Sequence, residues 1–387
     1  MGMAEIRGDV AEGFGAVADV FTSHFDDGDE IGAACCVYVD GVPRVDLWGG
    51  VADATTGRPW HDDTLAVVFS TTKGITATAI AMLVGAGTLS YDDRVADHWP
   101  EFAAAGKGDI TVGQLLSHQA GLIAVEGPLD FDEIMAVTPV IESLQTQAPM
   151  WPVGNGHGYH AITYGWLAGE LLARIAGKRI GEFLRDEIAD PLNLDMWIGL
   201  PAEHEPRVAP LESPRPPIDP DMMAFYAELY ARGANGYRAL TLDGRLRMMP
   251  DNHFNTRALH ATEMPGANGI TNARALARMY AATIGEVDGV RLLDHETMQS
   301  ARTERVNGLD RTLLIETRFG AGFWLHGDSQ PMLQDGSFGH PGAGGSLAFA
   351  NPELGVAFAY VMNQMGHGIS ADDRNVALGN ALLACLG

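Results

Sequence analysis

The spacing of apolar residues changes from helical to strand-like near the N-terminus. Large apolar residues recur at three- or four-residue intervals over residues 10–25, which predicts one opening helix. Residues 32–51 then contain two runs of β-forming residues on either side of Asp40 and Gly41, a dipeptide typical of tight turns. This pattern predicts an antiparallel hairpin directly after the helix.

Helical patterns dominate the middle of the chain. Residues 72–87 form a largely apolar run of helix length that is closed by glycine, which predicts a helix buried on nearly all sides. Residues 164–176 and 272–283 repeat the helical spacing, and Thr271 or Asn272 is a suitable N-cap for the second of them.

Proline and strand signals follow in the second half. Residues 201–220 are so rich in proline that no regular element is expected to run through them, and we expect a surface excursion that serves as a lid or as a connector. After about residue 318 the chain is strand-like, with Asn351 and Pro352 between two β-forming runs. A last helix is predicted over residues 371–386.

Strands near both ends with helices between them predict an α+β fold, in which distant parts of the chain form one antiparallel sheet flanked by helices. We expect residues 1–66 and 270–387 to form an α/β part. Residues 67–269, which include the proline-rich excursion, are expected to form a mainly helical part.

Composition limits the classes of function. Of the 387 residues, 46% are hydrophobic and 19% are charged, which is ordinary for a folded enzyme. The formal net charge of -25 would repel nucleic acids and anionic lipid surfaces, so neither is expected as a partner. Because neither a signal peptide nor an apolar membrane span is visible, we expect a cytoplasmic location. The spacing of Cys35, Cys36 and Cys385 predicts free thiols.

The stretch FSTTKG, residues 69–74, contains one of only three lysines in the chain. Lys73 follows Ser70 by three positions at the start of a predicted helix, so both side chains would lie on one face. A serine hydroxyl becomes nucleophilic when a base takes its proton, and a lysine amine serves as that base once burial lowers its pKa. Arginine cannot replace it, because a guanidinium stays protonated.

The position of this pair at a helix N-terminus also suits acyl transfer, because the helix dipole and free N–H groups would stabilise an oxyanion beside Ser70. The alternative interpretation is that Ser70 caps the helix and Lys73 is a solvated residue of the first turn. The apolar runs on both sides favour burial of the lysine, and therefore the catalytic interpretation.

Two further motifs follow FSTTKG in order, YHA at residues 159–161 and HPG at residues 340–342. Together the three resemble the SxxK, Tyr-x-Asn-type and Lys-Thr-Gly-type motifs of the serine β-lactamase and penicillin-recognising superfamily. The stretches FSTTKG, LLSHQAGL and YHAITYGWL resemble family VIII carboxylesterases most. Members of that branch look like class C β-lactamases and D-Ala-D-Ala peptidases but mostly cleave small esters. The resemblance covers residues 30–387 approximately.

The resemblance implies a β-lactamase-like fold with the active site between its two parts. It implies that Ser70 is the nucleophile and that Tyr159 reaches both Ser70 and Lys73. Whether Lys73 or Tyr159 is the base, and which of them protonates the leaving group, stays open. Tyr164, five residues after Tyr159, is an alternative that we interpret as a packing residue.

The same resemblance implies an oxyanion hole formed by the backbone N–H groups of Ser70 and Ala343. Gly342 and the small residues after it would let a substrate approach the strand edge closely, and His340 would line the substrate site. The alternative interpretation is a glycine-rich turn without a chemical role.

Departures from the family pattern bear on the substrate. The asparagine that helps to hold the acyl amide of β-lactams is Ala161 here, and the lysine and threonine that grip a carboxylate are His340 and Pro341. An ester without that amide and carboxylate needs neither group. We therefore expect a serine hydrolase that cleaves small carboxylic esters through a covalent acyl-enzyme. The alternatives are an acyltransferase to an alcohol or amine, a weak β-lactamase or D-amino peptidase, and a sensor that stays acylated.

Metal and cofactor chemistry is not expected. His118, His157 and His160 form no HExxH pattern with a companion carboxylate cluster, and the glycine-rich residues 154–158 lack the spacing of a nucleotide-binding loop. A GxSxG motif is also absent from the sequence, which argues against an ordinary α/β-hydrolase. The sequence does not predict an oligomeric state.

Overall fold

The computed structural model describes residues 4–214, 219–248 and 252–387. Its strands are β1 (Ile6–Val10), β2 (Gly32–Val39), β3 (Val42–Asp53), β4 (Arg58–Pro59), β5 (Ala66–Val67), β6 (Met196–Trp197), β7 (Ile270–Thr271), β8 (Val306–Leu309), β9 (Glu316–Phe319), β10 (Trp324–Leu325), β11 (Phe338–Pro341), β12 (Leu347–Asn351) and β13 (Val356–Met362).

Its α-helices are α1 (Gly15–Asp26), α2 (Thr72–Gly85), α3 (Val95–His98), α4 (Val112–Leu116), α5 (Phe131–Ala136), α6 (Thr138–Thr146), α7 (Thr163–Ala176), α8 (Ile180–Leu184), α9 (Asp190–Leu192), α10 (Pro220–Leu229), α11 (Asn235–Thr241), α12 (Arg257–Ala261), α13 (Ala273–Ile284), α14 (His295–Arg302) and α15 (Asp373–Leu386). Short 3-10 segments cover Pro100–Gly106, Ala202–Arg207, His253–Asn255 and Ala343–Gly345, and a π-helical turn covers Arg185–Ala189.

The main sheet is antiparallel and has the strand order β1-β3-β2-β13-β12-β11-β10-β9-β8. Pairing of β2 with β13 joins the N-terminal hairpin to the C-terminal strands. The predicted hairpin is confirmed: Asp40 and Gly41 connect β2 and β3 with φ angles of 50° and 74°. Two successive positive φ angles are characteristic of the tight turn that matches strand twist. The predicted α+β fold with an antiparallel sheet is therefore confirmed.

The opening helix begins later than predicted. It starts at Gly15, and residues 6–10 instead form the edge strand β1, which pairs with β3. Most side chains of β1 are exposed, so the strand lacks the alternation of apolar and polar residues that marks a half-buried strand. Helix α1 buries Val17 and Phe21 and packs against α15.

The other predicted helices lie close to their expected positions. Asn272, rather than Thr271, caps α13, since its side chain accepts from the Ala275 N–H at 2.8 Å. Within the proline-rich excursion the structure contains the 3-10 segment Ala202–Arg207, which the proline content did not predict. Residues 215–218 of that excursion lie outside the described residues.

Helix α2 lies in the interior between other elements. Its side chains are buried on nearly all sides, as predicted, and it packs against α7, α14 and β11. Strand β5, which pairs with β7 in the short sheet β5-β7-β6, is the element that precedes α2 in the chain. These contacts bring the N-terminal end of α2 to the edge of β11.

The division of the chain at residues 66 and 270 stays a prediction. In the ranges that the structure describes, no helix combines the length and apolar character needed to cross a bilayer.

Candidate active site

Ser70 lies in the short connection between β5 and α2. The residue before it, Phe69, has a φ of 43°, which non-glycine residues rarely adopt. Phe69 packs on Phe254 with ring centroids 4.7 Å apart, and its carbonyl accepts from Thr72 Oγ1 at 2.5 Å. These contacts hold a strained backbone next to the serine, and such strain is concentrated at functional sites.

The side chain of Lys73 is fully buried and reaches the serine from the first turn of α2. Its Nζ lies 3.0 Å from Ser70 Oγ, 2.5 Å from the Ala161 carbonyl oxygen and 2.7 Å from the Gly266 carbonyl oxygen. Ala161 precedes α7 and Gly266 precedes β7, so three distant parts of the chain converge on one amine.

Burial lowers the pKa of Lys73 well below its ordinary value, because the ammonium loses its hydration. A neutral amine has two N–H donors and one lone pair. In that state the two N–H groups would donate to the two carbonyl oxygens, and the lone pair would be left for the Ser70 hydroxyl. In the neutral state the serine would donate its hydrogen bond to the amine, which is the starting geometry for transfer of its proton, whereas a charged ammonium would donate to Ser70 Oγ.

Tyr159 covers another side of the same amine. The Lys73 Nζ lies 4.7 Å from the centroid of the Tyr159 ring. Burial raises the pKa of this phenol well above its ordinary value, although a hydrogen bond with the Ser70 side chain acts in the opposite direction. The phenol is therefore protonated at neutral pH, and it can donate a proton to a group bound at Ser70.

A buried carboxylate, which the sequence did not reveal, holds the backbone of Tyr159. Asp310 Oδ1 accepts from the N–H groups of Tyr159, Thr312 and Leu313 at distances of 3.0, 2.7 and 2.8 Å. Burial raises the pKa of Asp310, and attraction to the neighbouring His157 opposes that rise. Asp310 lies 151 residues after Tyr159, so no local pattern signals the contact.

The histidines beside Tyr159 take part in hydrogen bonds and ring packing. His160 Nε2 accepts from the Leu122 N–H at 2.9 Å, while its Nδ1 donates to the Gly158 carbonyl at 2.8 Å. The backbone N–H of His160 donates to His118 Nδ1 at 3.1 Å, and the His118 ring packs on Tyr159 with centroids 4.7 Å apart. Across the part of the chain that the structure describes, no group of three or more metal-ligating side chains is arranged around a common point.

Tyr164 lies farther from the amine than Tyr159 does. The Lys73 Nζ is 5.7 Å from the Tyr164 ring centroid, compared with 4.7 Å for Tyr159. The Tyr164 ring is buried and packs on His118, with centroids 5.3 Å apart. These contacts agree with its interpretation as a packing residue.

The turn after β11 is bound to the segment that carries Ser70. Ser346 Oγ donates to the Val68 carbonyl at 2.8 Å and lies 3.2 Å from Thr71 Oγ1. A Cβ atom on Gly342 would overlap the Val68 carbonyl oxygen and Ser346 Oγ, so only glycine permits this approach. Ala343 follows Gly342 directly and is thereby brought next to the serine segment.

His340 is fully buried in β11. Its Nδ1 donates to the Pro341 carbonyl at 2.7 Å, and its Nε2 faces the Tyr159 hydroxyl at 3.5 Å. Burial, together with the nearby Lys73, lowers the pKa of His340 well below its ordinary value. The ring is therefore neutral at neutral pH and offers no positive charge to a substrate carboxylate.

A cavity of about 620 Å³ opens beside Ala343 and Gly344. Most of its lining comes from apolar and aromatic side chains of α10, of the segment after α11 and of the loop before α15. These side chains include Met223, Tyr226, Tyr230, Leu246, Met365 and Ile369. This volume lies in the range of small-molecule sites, and the lining is mainly apolar, although it also includes Arg247 and His367.

Comparison with known proteins shows to which family the chain belongs. Residues 17–382 match the family model described as β-lactamase. The chain belongs to the β-lactamase family. The resemblance read from the three motifs is thereby confirmed.

Several relatives are similar over nearly the whole chain. The esterase/β-lactamase LipL of Mycobacterium tuberculosis is 37% identical over 358 residues, which cover 91% of this chain and 81% of that protein. The crystal structure of a family VIII carboxylesterase is 36% identical, with a TM-score of 0.89 over 98% of this chain and 100% of that chain. A penicillin-binding protein homologue from Caulobacter crescentus is 38% identical, with a TM-score of 0.87 and the same coverage. The chain is therefore a hydrolase of the esterase and β-lactamase type.

Proposed function

We propose that this chain is a serine carboxylesterase that cleaves small carboxylic esters through an acyl-enzyme on Ser70. The observation that carries the proposal is the 3.0 Å contact between Lys73 Nζ and Ser70 Oγ, made by an amine that is fully buried. A charged ammonium cannot accept the serine proton, whereas a neutral amine accepts it directly.

In the acylation step, Ser70 Oγ attacks the carbonyl carbon of the ester and its proton passes to Lys73 Nζ. The carbonyl π electrons move to the oxygen, where the backbone N–H groups of Ser70 and Ala343 stabilise the charge. When the tetrahedral intermediate collapses, the bond to the alkoxide breaks and Tyr159 protonates the departing oxygen. Lys73 then returns a proton to the phenolate, so both side chains end in their starting states.

Deacylation repeats these steps with water in place of the serine. Water attacks the acyl carbonyl carbon, and the pair of Lys73 and Tyr159 accepts its proton. The oxyanion again forms beside the N–H groups of Ser70 and Ala343. Collapse releases the carboxylic acid and returns the proton to Ser70 Oγ.

The polar groups near Ser70 favour an ester over a β-lactam. Ala161 contributes a backbone carbonyl to Lys73 but has no side-chain group that could hold an acyl amide. His340 is neutral and Pro341 has no hydroxyl, so the grip on a substrate carboxylate is lost. The apolar cavity next to Ala343 can instead bind the hydrocarbon part of an ester.

Hydrolysis of p-nitrophenyl butyrate by Ser70→Ala and Lys73→Ala tests the proposal. Each variant should lose at least about 1,000-fold in kcat, because nucleophile and base act as one unit. Lys107→Ala is the matched control: Lys107 is also buried, but it donates to the carbonyls of Ala104 and Gln147 rather than to the serine. This control should keep its activity per folded molecule. Near-parental hydrolysis by Ser70→Ala would refute the proposal, and product analysis with an added alcohol would reveal acyl transfer.

A further inference from the structure

Arg374, in the first turn of α15, uses all five of its side-chain N–H donors inside the protein. Its Nε and Nη2 donate to the two carboxylate oxygens of Asp372, each at 2.8 Å. Its Nη1 donates to Glu30 Oε1 at 2.6 Å and to the Gln364 carbonyl at 3.0 Å. The second donor of Nη2 reaches the Gly344 carbonyl at 2.6 Å.

Gly344 belongs to the turn of residues 342–346, which follows β11. Gly344 and Gly345 have φ angles of 82° and 122°, a backbone path that other residues adopt only with strain. The Gly344 carbonyl also accepts from the Gly366 N–H at 2.8 Å, and Asn375 Nδ2 donates to the Gly345 carbonyl at 2.6 Å. Two neighbouring side chains of α15 therefore hold two successive carbonyl groups of the turn.

The other side of the same turn contacts the serine segment through Ser346, whose Oγ donates to the Val68 carbonyl at 2.8 Å. The turn is thus fixed between α15 and the residues before Ser70, and Ala343 belongs to it, directly before the Gly344 carbonyl that Arg374 holds. Loss of either attachment would let the Ala343 N–H move relative to Ser70.

We propose that Arg374 is a positioning residue that holds the Ala343 N–H in place for an oxyanion, acting through the Gly344 carbonyl. The inference rests on the proposed function, because the Ala343 N–H matters only if an oxyanion forms beside Ser70. A buried ion cluster is often no more stable than apolar residues of the same volume, so this cluster is weak evidence for a role in stability. A lysine cannot substitute fully, because its three donors have no fixed plane.

The test compares Arg374→Gln and Arg374→Lys with the parent chain. The measurements are kcat and KM for p-nitrophenyl butyrate and the inhibition constant of butylboronic acid, whose tetrahedral serine adduct places a negative oxygen in an oxyanion hole. We expect kcat to fall about 10- to 100-fold with KM changed less than about threefold, because a displaced donor loses its transition-state contact. Boronate affinity should fall in parallel with kcat.

Arg302→Gln is the matched control. Arg302 also donates to a backbone carbonyl, that of Gly336 at 2.8 Å, and pairs with Glu353, but it belongs to α14. The Arg302→Gln variant should keep near-parental kcat and near-parental affinity for butylboronic acid. If Arg374→Gln does not fold, Arg374→Lys and Asn375→Ala carry the test. Asn375→Ala removes only the hydrogen bond to the Gly345 carbonyl and should lower kcat about threefold to tenfold.

Near-parental kcat in the folded Arg374 variants would overturn the positioning role, and so would a fall in kcat without any loss of boronate affinity. Ser70→Ala in the same assay separates this failure from failure of the proposed function. If Ser70→Ala is inactive while the Arg374 variants match the parent, only the positioning role is wrong. If Ser70→Ala keeps its activity, the proposed function itself is wrong.

Discussion

His340 Nε2 faces the hydroxyl of Tyr159 at 3.5 Å, while His340 Nδ1 donates to the Pro341 carbonyl. A histidine next to the phenol that we propose as a proton donor suggests a second base in the site. Its contact with the phenol is longer than a good hydrogen bond, and burial holds its pKa well below the ordinary value. Because Lys73 Nζ lies 3.0 Å from Ser70 Oγ, we expect Lys73 rather than His340 to take the serine proton.

His340→Phe tests this division of roles, because phenylalanine keeps an aromatic ring in β11 but has no nitrogen. We expect kcat/KM for p-nitrophenyl butyrate to stay within about tenfold of the parent, a change that altered packing around Tyr159 explains. A loss as large as that of Lys73→Ala would identify His340 as a base instead.

Replacement of Lys73 by methionine should change how stability depends on pH. The pKa of Lys73 is depressed in the folded state, so between that pKa and the ordinary lysine pKa the unfolded chain binds more protons. Stability of the parent should therefore rise with pH until the ordinary lysine pKa, by up to about 1.4 kcal/mol per pH unit.

Lys73→Met lacks this contribution, and other titrating groups are common to both chains. Urea unfolding at about pH 7 and about pH 9.5 should show that the stability of the parent relative to Lys73→Met increases with pH. If the difference in stability between the two chains is the same at both pH values, the pKa of Lys73 is not depressed in the folded state.

The cavity beside Ala343 predicts a preference for esters with an apolar chain. Each methylene buried there should raise kcat/KM about fourfold until the cavity is filled. Ile369 lines the cavity, so Ile369→Trp should reduce its volume and lower kcat/KM for the octanoate ester at least about tenfold.

The acetate ester serves as the internal control for Ile369→Trp, since it is too short to depend on the filled space. Its kcat/KM should stay within about threefold of the parent value. Equal losses for acetate and octanoate, or no chain-length dependence in p-nitrophenyl esters of the parent, would argue against binding of the acyl chain in this cavity.

Asp310 should matter for both stability and turnover. Asp310→Ala would leave the N–H groups of Tyr159, Thr312 and Leu313 without their acceptor, at a cost of about 1–3 kcal/mol for each buried donor that stays unpaired. Asp310→Asn keeps one carbonyl oxygen and should cost less. The free energy of unfolding and kcat should therefore both decrease in the order parent, Asp310→Asn, Asp310→Ala.

Asp294→Ala provides the comparison for Asp310. Asp294 also accepts from a backbone N–H, that of Thr297 at 2.7 Å, but it caps α14 outside the site. The Asp294→Ala variant should lose about 1 kcal/mol of stability and keep the kcat of the parent. A parental kcat in Asp310→Ala would show that the carboxylate does not position Tyr159.

Local signals explain why much of the architecture was predictable. The hairpin follows from Asp40 and Gly41, two residue types that tolerate positive φ, and α2 follows from an apolar run that has helix length. The proximity of Ser70 and Lys73 follows from their spacing of three residues at the start of that helix. Each of these inferences needs only neighbouring residues.

Contacts between distant residues account for what the sequence did not show. The Gly266 carbonyl reaches Lys73 from 193 positions away, and a backbone carbonyl carries no residue-type signal. Asp310 lies between two strands in a stretch without a motif, and Arg374 was one arginine among many. The edge strand β1 is exposed on both faces, so its sequence pattern resembled that of a loop.

The account depends most on a neutral Lys73, and the pH dependence of kcat/KM for p-nitrophenyl butyrate tests this most directly. We predict that kcat/KM rises to a plateau in the acid-to-neutral range and stays level to about pH 10, because the amine is already unprotonated and burial also raises the pKa of Tyr159. A rate that climbs about tenfold per pH unit up to about pH 10, as for a lysine of ordinary pKa, would contradict the account.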